Sequence, residues 1–307
     1  MRRVAVIPGD GIGPEVVHAT VDILEEMALP IDFIGAEMGH ECYRRNGSYL
    51  PHETIDLLHN VDCCLFGAIT SPTTYDPDYR SPLLYLRKHF DLYANIRPVR
   101  RIVPDVGLVD LDLTIVRENT EGMYTGIERE ENGSVILERR VTESVCRRLV
   151  RRALRLCLDK NIPSLTCVHK ANVLRRSDGM FRKVFYEEMD GAPIEAKDML
   201  VDAAAAAMII RPQDMKCIVT LNLYGDILSD EAAALVGGLG FAPSANYGDG
   251  LVLFEPTHGS APDIAGKGIA NPTATLLTSV MMLEHLGLKR EAELLDSAIV
   301  RTWADGI

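Results

Sequence analysis

Short runs of β-branched and other apolar residues recur along the chain, and each is bounded by polar or glycine-containing segments. Runs of this length and composition are typical of buried strands. Four of them predict strands: VAVIP (4–8), VDCCLFGAI (61–69), DLTIVREN (112–119) and CIVTLN (217–222).

Longer stretches with helical periodicity lie between these runs. The segment 14–27 predicts a helix with one apolar stripe, formed by Val17, Val21 and Leu24. A second helix is predicted over 142–158, with Thr142 as its N-cap. Strands that alternate with helices in this way predict an α/β fold.

The composition is that of a globular protein. The chain has 307 residues, 47% apolar and 25% charged, which suits one large or two medium domains. Its net charge of −12 predicts no binding of nucleic acid and no attraction to an anionic membrane. The start, MRRVAVIPGDGIG, has no signal-peptide pattern, so a cytoplasmic protein is expected. The seven cysteines form no Cys-x-x-Cys, and we expect buried, reduced thiols.

The predicted helix 142–158 carries one strongly basic face. Such a face suits RNA or an acidic partner, but no aromatic residues are interleaved with the basic ones. We therefore prefer a solvated or intersubunit face to a nucleic-acid surface. The basic residues are Arg147, Arg148, Arg151, Arg152 and Arg155.

Two carboxylates in NLYGDILSDE (222–231) are candidate metal ligands. Asp226 and Asp230 are four positions apart, so both lie on one face if Gly225 and Asp226 open a helix. Two hard oxygen ligands suit Mg²⁺ or Mn²⁺ better than zinc. Asp202, at the start of an alanine-rich apolar segment, is a candidate third ligand. A helix cap and solvent-facing acids are the alternative interpretation.

Further polar residues are candidates for proton transfer and for binding carboxylates. Lys170 in CVHKANVLR follows a strand-like run and is a candidate base, whereas Tyr124 in ENTEGMYTG is a candidate proton donor. On spacing alone, a surface lysine and a core or turn tyrosine explain them as well. Three arginines suit carboxylates, although each by itself is equally a salt-bridge residue: Arg87, Arg97 and Arg117.

Two glycine-rich stretches are further candidate functional segments. IPGDGIGPE (7–15) follows a strand and precedes a helix, but its glycine spacing is not the Gly-x-Gly-x-x-Gly fingerprint of a Rossmann fold. The loop EPTHGSAPDIAGKGIANPTA (255–274) offers backbone amides to a phosphate or a flat ring.

Taken together, these stretches resemble the β-decarboxylating dehydrogenases of the isocitrate/isopropylmalate dehydrogenase family. The similar segments follow one another in order over nearly the whole chain. They are IPGDGIGPEV, LRKHFDLYANIRPVR, VRENTEGMYTG, HKANV, NLYGDILSDEAAALVGGLGFAPSAN and FEPTHGSAPDIAGKGIANPTA. The resemblance implies a two-domain isopropylmalate-dehydrogenase-like α/β fold with a cleft between its domains. Residues 1–92 and 237–307 would form the cofactor-side domain, and 93–236 the domain with the metal site and dimer interface.

The resemblance also implies roles for these residues. Asp226 and Asp230 would hold one Mg²⁺ or Mn²⁺, with Asp202 contributed across the interface of a homodimer, or of a tetramer. Lys170, also from the partner subunit, would take the substrate hydroxyl proton, and Tyr124 would protonate the enol formed after decarboxylation. Substrate carboxylates would bind three guanidiniums, those of Arg87, Arg97 and Arg117. Gly225 would keep the backbone clear beside this site.

The same resemblance implies NAD rather than NADP as the cofactor, because Asp263 and Ile264 match the NAD-type pair. The remaining cofactor residues implied by the loop are His258, Gly259, Ser260, Ala261 and Asn271. Leu83 and Leu84 match the paired leucines of isopropylmalate enzymes, so 3-isopropylmalate, an intermediate of leucine biosynthesis, is the expected substrate. Homoisocitrate is the alternative, because the loop 70–82 and Arg80 resemble enzymes for that substrate. A non-catalytic binding protein is a remote third possibility.

Overall fold

The computed structural model describes residues 1–72, 79–103 and 105–306, and confirms an α/β architecture. Its strands are β1 (Arg2–Gly9), β2 (Ile31–Gly35), β3 (Cys63–Ala68), β4 (Ala94–Arg100), β5 (Asp112–Glu118), β6 (Glu128–Glu131), β7 (Ser134–Leu137), β8 (Ser164–His169), β9 (Glu195–Leu200), β10 (Cys217–Thr220), β11 (Pro243–Tyr247) and β12 (Val252–Pro256). Its α-helices are α1 (Gly13–Glu26), α2 (His40–Asn46), α3 (His52–Leu58), α4 (Pro82–His89), α5 (Glu143–Asp159), α6 (Ser177–Met189), α7 (Val201–Ile210), α8 (Asn222–Leu235), α9 (Thr273–His285) and α10 (Lys289–Ala304).

The four predicted strands and both predicted helices are present, with two differences in detail. Helix α8 begins at Asn222, so Gly225 and Asp226 lie inside it and do not open it. Thr142 occupies the N-cap position of α5, but its side chain makes no capping hydrogen bond. Its hydroxyl instead donates to Glu121 Oε2 at 2.8 Å. A nearby carboxylate has thus replaced the helix as the partner of this hydroxyl.

The described chain divides into two compact units. The first unit contains Met1–Leu92 and the described residues from Gly238 onward. Within it the strand order is β2-β1-β3-β12-β11. Strands β1, β2, β3 and β12 run parallel, whereas β11 pairs antiparallel with β12. The parallel strands are almost entirely apolar because helices cover both faces of such a sheet. Its core includes Ile7, Phe66, Leu86 and Leu253.

The second unit contains Tyr93–Gly237, and its strand order is β4-β5-β10-β8-β9. Strand β4 pairs antiparallel with β5. The other three pairs, β5 with β10, β10 with β8 and β8 with β9, are parallel. A separate exposed hairpin is formed by β6 and β7. The core of this unit packs β5 and β10 against α7 and α8, through residues such as Ile115, Met208, Ile218 and Leu228.

The arginine-rich face of α5 is paired within its own unit. Arg147 contacts Glu188 at 2.6 Å and Glu187 at 2.8 Å, both on α6, and Arg151 also contacts Glu188 at 2.6 Å. The guanidinium of Arg148 stacks over the ring of Tyr93 at 4.3 Å. At least three of the five arginines of this face therefore have partners within their own unit.

All seven cysteines lie in the described part of the chain and are buried free thiols, as expected. Burial raises the pKa of Cys63 and of Cys146 to about 12, which keeps both thiols protonated at neutral pH. Of the helices in the described residues, none has the length and hydropathy needed to cross a membrane.

Candidate active site

The helix α8 brings the predicted pair of carboxylates to one face. Asp226 and Asp230 are separated by one helical turn, and the guanidinium of Arg97 on β4 lies 3.6 Å from each. Arg97 also donates to the hydroxyl of Ser229 at 2.6 Å and to the side chain of Asn95. Arg97 is therefore buried and oriented by neutral groups, while its charge faces the two acids.

Arg117, at the end of β5, is the largest fully buried side chain of the described chain. Its guanidinium contacts Asp226, and it also donates twice to Asn222 Oδ1, at 3.0 and 2.8 Å. The aliphatic part of Arg117 crosses α8 at Gly225, where an added Cβ would lie 2.6 Å from Arg117 Cγ. Gly225 therefore keeps the helix backbone clear, as expected, and the group that needs the space is the arginine itself.

Tyr124 lies in a single 3₁₀ turn, Met123–Thr125, and its hydroxyl donates to Asp226 Oδ2 at 2.6 Å. Arg117 stacks on its ring at 5.3 Å. The turn is fixed by paired backbone hydrogen bonds between Gly122 and Arg140, at 2.9 and 3.2 Å. The structure thus brings Arg117, Tyr124 and Asp226, three of the predicted site residues, into direct contact.

Lys170 and Asp202 form a second group. Lys170 follows β8 directly, and its ammonium pairs with Asp202 in the first turn of α7. The lysine side chain is 28% exposed and that of Asp202 is 64% exposed, so this pair faces solvent in the single chain. Among the residues that the structure describes, no three His, Cys, Asp or Glu side chains are grouped to hold a metal ion. Asp202 therefore does not join Asp226 and Asp230 within one chain.

The donor set on α8 nevertheless fits a hard divalent cation. Asp226 and Asp230 offer oxygen ligands from one helix face, which is the ligand type that Mg²⁺ and Mn²⁺ prefer. Burial raises the pKa of Asp230, with the negative charge of Asp226 adding to this effect and the positive charges of Arg97 and Arg117 opposing it. A cation between the two acids would favour the charged form of both.

In the first unit, α4 places Leu83, Leu84 and Arg87 on one helix face, at spacings of three and four residues. Both leucines are half-buried, and Arg87 is buried. Arg87 pairs with Glu255 at 2.9 Å, and Glu255 also accepts from Asn246 at 2.8 Å. In the described part of the chain, the buried Nε of Arg87 has no hydrogen-bond partner, so this guanidinium retains a donor for a ligand.

The glycine-rich loop after β1 is held to the loop that follows β12. Ile12 N donates to the carbonyl of Ser260 at 2.8 Å, and Thr70 donates to the Ser260 hydroxyl at 2.8 Å. Gly11 has φ +62°, and an added Cβ would lie 2.0 Å from the Ser260 carbonyl oxygen. Ser260, predicted to bind the cofactor, is therefore buried and used in loop contacts.

The side chain of Asp10 organises the same region. This carboxylate is 3% exposed and accepts three backbone N–H groups, from His40 at 2.8 Å, Glu41 at 2.9 Å and Thr70 at 2.8 Å. Three strong charge-assisted bonds tie three chain segments together.

The predicted cofactor loop offers groups that fit a nucleotide. His258 Nδ1 is 3.0 Å from the Gly259 carbonyl, which makes Nδ1 the protonated nitrogen and Nε2 an acceptor. Within the described residues this buried Nε2 has no partner, and it suits a ribose hydroxyl or an amino group. Burial lowers the pKa of His258, which keeps the ring neutral. The other predicted residues are exposed (Gly259 and Asp263) or half-buried (Ala261, Ile264 and Asn271).

Several residues that position this chemistry were not predicted: Asp10, Asp178, Asn222, Ser229 and Glu255. Their neighbours in sequence belong to the motifs, but nothing in local composition indicates that these side chains are buried. Asp178, for example, has the sequence pattern of an ordinary acid in the first turn of a helix. Its burial and its partners depend on three segments that are distant along the chain.

Comparison with known proteins gives consistent matches. Residues 3–307 match the family model described as "Isocitrate/isopropylmalate dehydrogenase". The chain is 46% identical over 311 residues to a homoisocitrate dehydrogenase of Methanocaldococcus jannaschii, covering 97% of this chain and 89% of that protein. It is also 46% identical over 308 residues to a 3-isopropylmalate dehydrogenase of Methanothermobacter thermautotrophicus, and the match covers 99% of this chain and 92% of that protein. A crystal structure of isocitrate dehydrogenase from Methylococcus capsulatus has a TM-score of 0.95 and 40% identity, covering 100% and 92%.

These matches confirm the resemblance drawn from the six motifs and the type of α/β fold expected from it. They support an oxidative decarboxylating dehydrogenase of the isopropylmalate, homoisocitrate or isocitrate type. The two curated relatives have different substrate names and equal identity to this chain, so overall similarity does not rank the substrates.

Proposed function

Because the chain belongs to the isocitrate/isopropylmalate dehydrogenase family, we propose that it catalyses the NAD⁺-dependent, metal-dependent oxidative decarboxylation of a 3-substituted malate. The observation that carries this proposal is the contact between Arg117, Asp226 and Tyr124 on one face of α8. It joins a carboxylate-binding guanidinium, a metal-ligand candidate and a proton donor in one cluster.

The proposed roles of the side chains are those that the family resemblance implies, and the geometry is consistent with them. Arg97 and Arg117 are buried and pre-oriented, so they bind the malate carboxylates without losing side-chain freedom. Lys170 accepts the proton of the substrate hydroxyl as the C–H bond at the same carbon gives up its hydride. Tyr124 donates a proton to the enol that remains when CO₂ leaves. When bound, the divalent metal would supply positive charge beside the oxygen that becomes negative, and the nicotinamide would supply the hydride acceptor.

The metal requirement is tested at Asp226. Replacing Asp226 by Asn keeps its size but removes a charged ligand, so metal-dependent turnover should fall by several orders of magnitude while the fold survives. The fold is checked by circular dichroism and thermal unfolding. Full activity of the wild-type protein in EDTA would contradict the proposal.

We propose a homodimer, or an assembly of dimers, in which Lys170 and Asp202 complete the partner's site. The segments that carry Lys170, Asp202 and Asp226 each expose an apolar side chain in the single chain: Val173 (65% exposed), Ile210 (74%) and Ile227 (58%). Exposed apolar side chains so near polar site residues are typical of an interface.

Subunit mixing tests the shared site. Subunits with Lys170→Ala and subunits with Asp226→Ala should each retain only a small residual turnover alone, but a mixed dimer would keep one intact site. Activity should return when the two variants are dissociated and annealed together. If the mixture stays inactive although light scattering reports dimers, Lys170 does not serve the neighbouring site.

NAD⁺ is the proposed cofactor because Asp263 faces solvent in the loop that carries His258. A carboxylate there accepts from ribose hydroxyls, whereas a 2′-phosphate at ~4 Å would be repelled by on the order of a few kcal/mol. Solvent screening reduces this repulsion, and we expect kcat/KM to be at least ~tenfold higher with NAD⁺ than with NADP⁺. Replacing Asp263 by Asn should lower the ratio of kcat/KM with NAD⁺ to kcat/KM with NADP⁺. Equal efficiency of the wild-type enzyme with both cofactors would refute this assignment.

The proposed substrate is 3-isopropylmalate, since Leu83 and Leu84 present an apolar surface on the same helix face as Arg87. Burying the isopropyl group should contribute roughly 2 kcal/mol, or about thirtyfold in kcat/KM over unsubstituted D-malate. Homoisocitrate is the second candidate, because exposed Arg80 lies one residue before the N-cap of α4. Part of the loop 70–82, residues 73–78, lies outside the described residues.

Assays with D-malate, 3-isopropylmalate, isocitrate and homoisocitrate, on wild type and Arg80→Ala, rank these candidates. A preference for homoisocitrate that Arg80→Ala abolishes would overturn the isopropylmalate assignment. No turnover of any of the four, with metal and NAD⁺ present, would favour a non-catalytic binding protein.

A further inference from the structure

Asp178 is a buried carboxylate that lies outside the set of proposed catalytic and metal-binding residues. It is 0% exposed and lies in the first turn of α6. Burying a carboxylate costs several kcal/mol unless charge and hydrogen bonds compensate it. The donors around Asp178 therefore indicate what this group does.

Both oxygens of Asp178 accept hydrogen bonds, and two of the four donors, Arg139 and Tyr224, lie more than 35 residues away in the chain. Oδ2 accepts the backbone N–H of Lys170 at 2.8 Å and the hydroxyl of Tyr224 at 3.0 Å. Oδ1 accepts from Arg139 Nη1 at 2.6 Å and from the hydroxyl of Ser177 at 3.3 Å. One carboxylate thus joins the turn after β8, the start of α8 and the segment before α5.

Two of these segments carry a residue of the proposed reaction. Lys170 is contacted directly, and Tyr224 lies two residues before Asp226 on α8. The third segment is linked indirectly, because Arg139 precedes Arg140, whose backbone pairs with Gly122 at the turn that holds Tyr124. Asp178 therefore joins the segments of the proton acceptor and the metal ligand, and contacts a neighbour of the turn that carries the proton donor.

The backbone at Lys170 is fixed on every side. Besides the bond from its N–H to Asp178, its carbonyl accepts from Val173 N at 3.0 Å and Leu174 N at 2.9 Å. The next amide, Ala171 N–H, donates to His169 Nδ1 at 3.0 Å. The lysine stem is long and flexible, so the position of its ammonium depends on the direction in which this backbone projects it.

We propose that Asp178 is the positioning residue for Lys170, setting the backbone from which the side-chain nitrogen Nζ reaches the substrate hydroxyl. This inference rests on the proposed function, in which Lys170 accepts that proton. Asp178 touches neither substrate nor metal. It acts through Lys170, and through Tyr224 it keeps the Lys170 turn in register with α8 of the same chain.

The test is a double-mutant cycle in the full-length protein, with Lys170→Ala, Asp178→Asn and the combination. Asp178→Asn should lower kcat by about 10–100-fold, the range seen when a group that orients a functional side chain is lost. The KM for substrate and the affinity for Mn²⁺ should change by less than about threefold, because Arg97, Arg117, Asp226 and Asp230 are intact. In the Lys170→Ala background, Asp178→Asn should cause no further loss of kcat.

Two further variants separate positioning from folding. Glu188→Gln removes another ion-paired acid from the same helix α6, where it contacts Arg147 and Arg151. It should leave kcat unchanged even if the thermal midpoint falls. Tyr224→Phe removes only the hydroxyl that donates to Asp178 Oδ2. It replaces Asp178→Asn in the cycle if Asp178→Asn does not fold. Its smaller loss of kcat should also vanish in the Lys170→Ala background.

The outcomes are distinct. Additive losses in the cycle, with Asp178→Asn or with Tyr224→Phe, would overturn the inference, because they would mean that the cluster acts independently of Lys170. A fully active Lys170→Ala enzyme would overturn the proposed role of Lys170 and the inference with it. An inactive wild-type protein on all four malates would overturn the proposed function itself.

Discussion

Asp10 in the first unit and Asp178 in the second are both buried carboxylates that join three segments, but their donors differ in kind. Among the described residues, the donors to Asp10 are all backbone N–H groups, those of His40, Glu41 and Thr70. Asp178 accepts one backbone N–H, from Lys170, and its other donors are the side chains of Arg139, Tyr224 and Ser177.

The two units also differ in the kind of contact that holds their candidate site residues. In the first unit, a main-chain contact and the Thr70–Ser260 hydroxyl pair hold the predicted cofactor loop, and glycine is required where two backbones meet at Gly11 and Ser260. In the second unit, side chains hold one another, and glycine is required at Gly225 because the stem of Arg117 crosses the helix there. The first arrangement should tolerate most side-chain changes among the donors, whereas the second should be sensitive to each of them.

The largest effect is expected for Gly11→Ala. The added Cβ would meet the Ser260 carbonyl oxygen at 2.0 Å, and φ of +62° is strained for alanine. Strain of about 1–2 kcal/mol and overlap of about 1–3 kcal/mol should together destabilise the protein and abolish NAD⁺ binding, measured by denaturant unfolding and fluorescence titration. Gly47→Ala is the control, since Gly47 has φ +73° and no atom of the described residues lies within 4 Å of the added Cβ, so this variant should show the backbone strain alone. Equal losses for the two variants would mean that the close backbone approach is unimportant.

The next largest effect is expected for Gly225→Ala, which tests the second unit. Its Cβ would lie 2.6 Å from Arg117 Cγ and 2.7 Å from Arg117 Cβ, so the buried arginine must shift. We expect about 1–3 kcal/mol of destabilisation and a loss of kcat/KM, because Arg117 and Asp226 no longer meet. Gly179→Ala on α6 adds the same methyl group in open space and should be neutral or slightly stabilising. Wild-type kinetics for Gly225→Ala would show that the position of Arg117 is not critical.

Asp10→Asn should have a moderate effect that differs in kind from that of Asp178→Asn. One of the three backbone donors loses its acceptor, which costs about 1–3 kcal/mol. The KM for NAD⁺ should rise while kcat at saturation is retained, since no group of the second unit is touched. A fall in kcat at saturating NAD⁺, similar to that of Asp178→Asn, would remove the contrast between the two carboxylates.

The smallest effect is expected for His258→Gln, which should change how the stability of the protein depends on pH. Burial holds the pKa of His258 below its ordinary value of 6.5, so the unfolded chain takes up a proton first as the pH falls. Stability is therefore retained above pH 6.5 and decreases as the pH falls from there through the lowered folded-state pKa. The variant lacks this group, and its thermal midpoint should decline less over that interval than that of wild type. Parallel curves for the two proteins would contradict a lowered pKa.

Much of the fold was predictable because its signals are local. The strand-like runs at 4–8 and 112–119 became β1 and β5, since buried parallel strands require continuous apolar sequence. The start of α8 differs from the conditional expectation that Gly225 and Asp226 open it, because Gly225 lies inside the helix and leaves room there for Arg117. A contact between two residues more than a hundred positions apart leaves no local signal.

By itself, the sequence determined the α/β class, the family and the identity of most residues of the candidate site, because strand and helix patterns and ordered motifs are properties of neighbouring residues. Only the tertiary structure decided which of these residues meet. It paired Tyr124 and Arg117 with Asp226, paired Lys170 with Asp202, and gave Arg87 the partner Glu255. It also revealed that Asp178 is buried. Burial and partners depend on packing between distant segments, which the order of residues along the chain does not express.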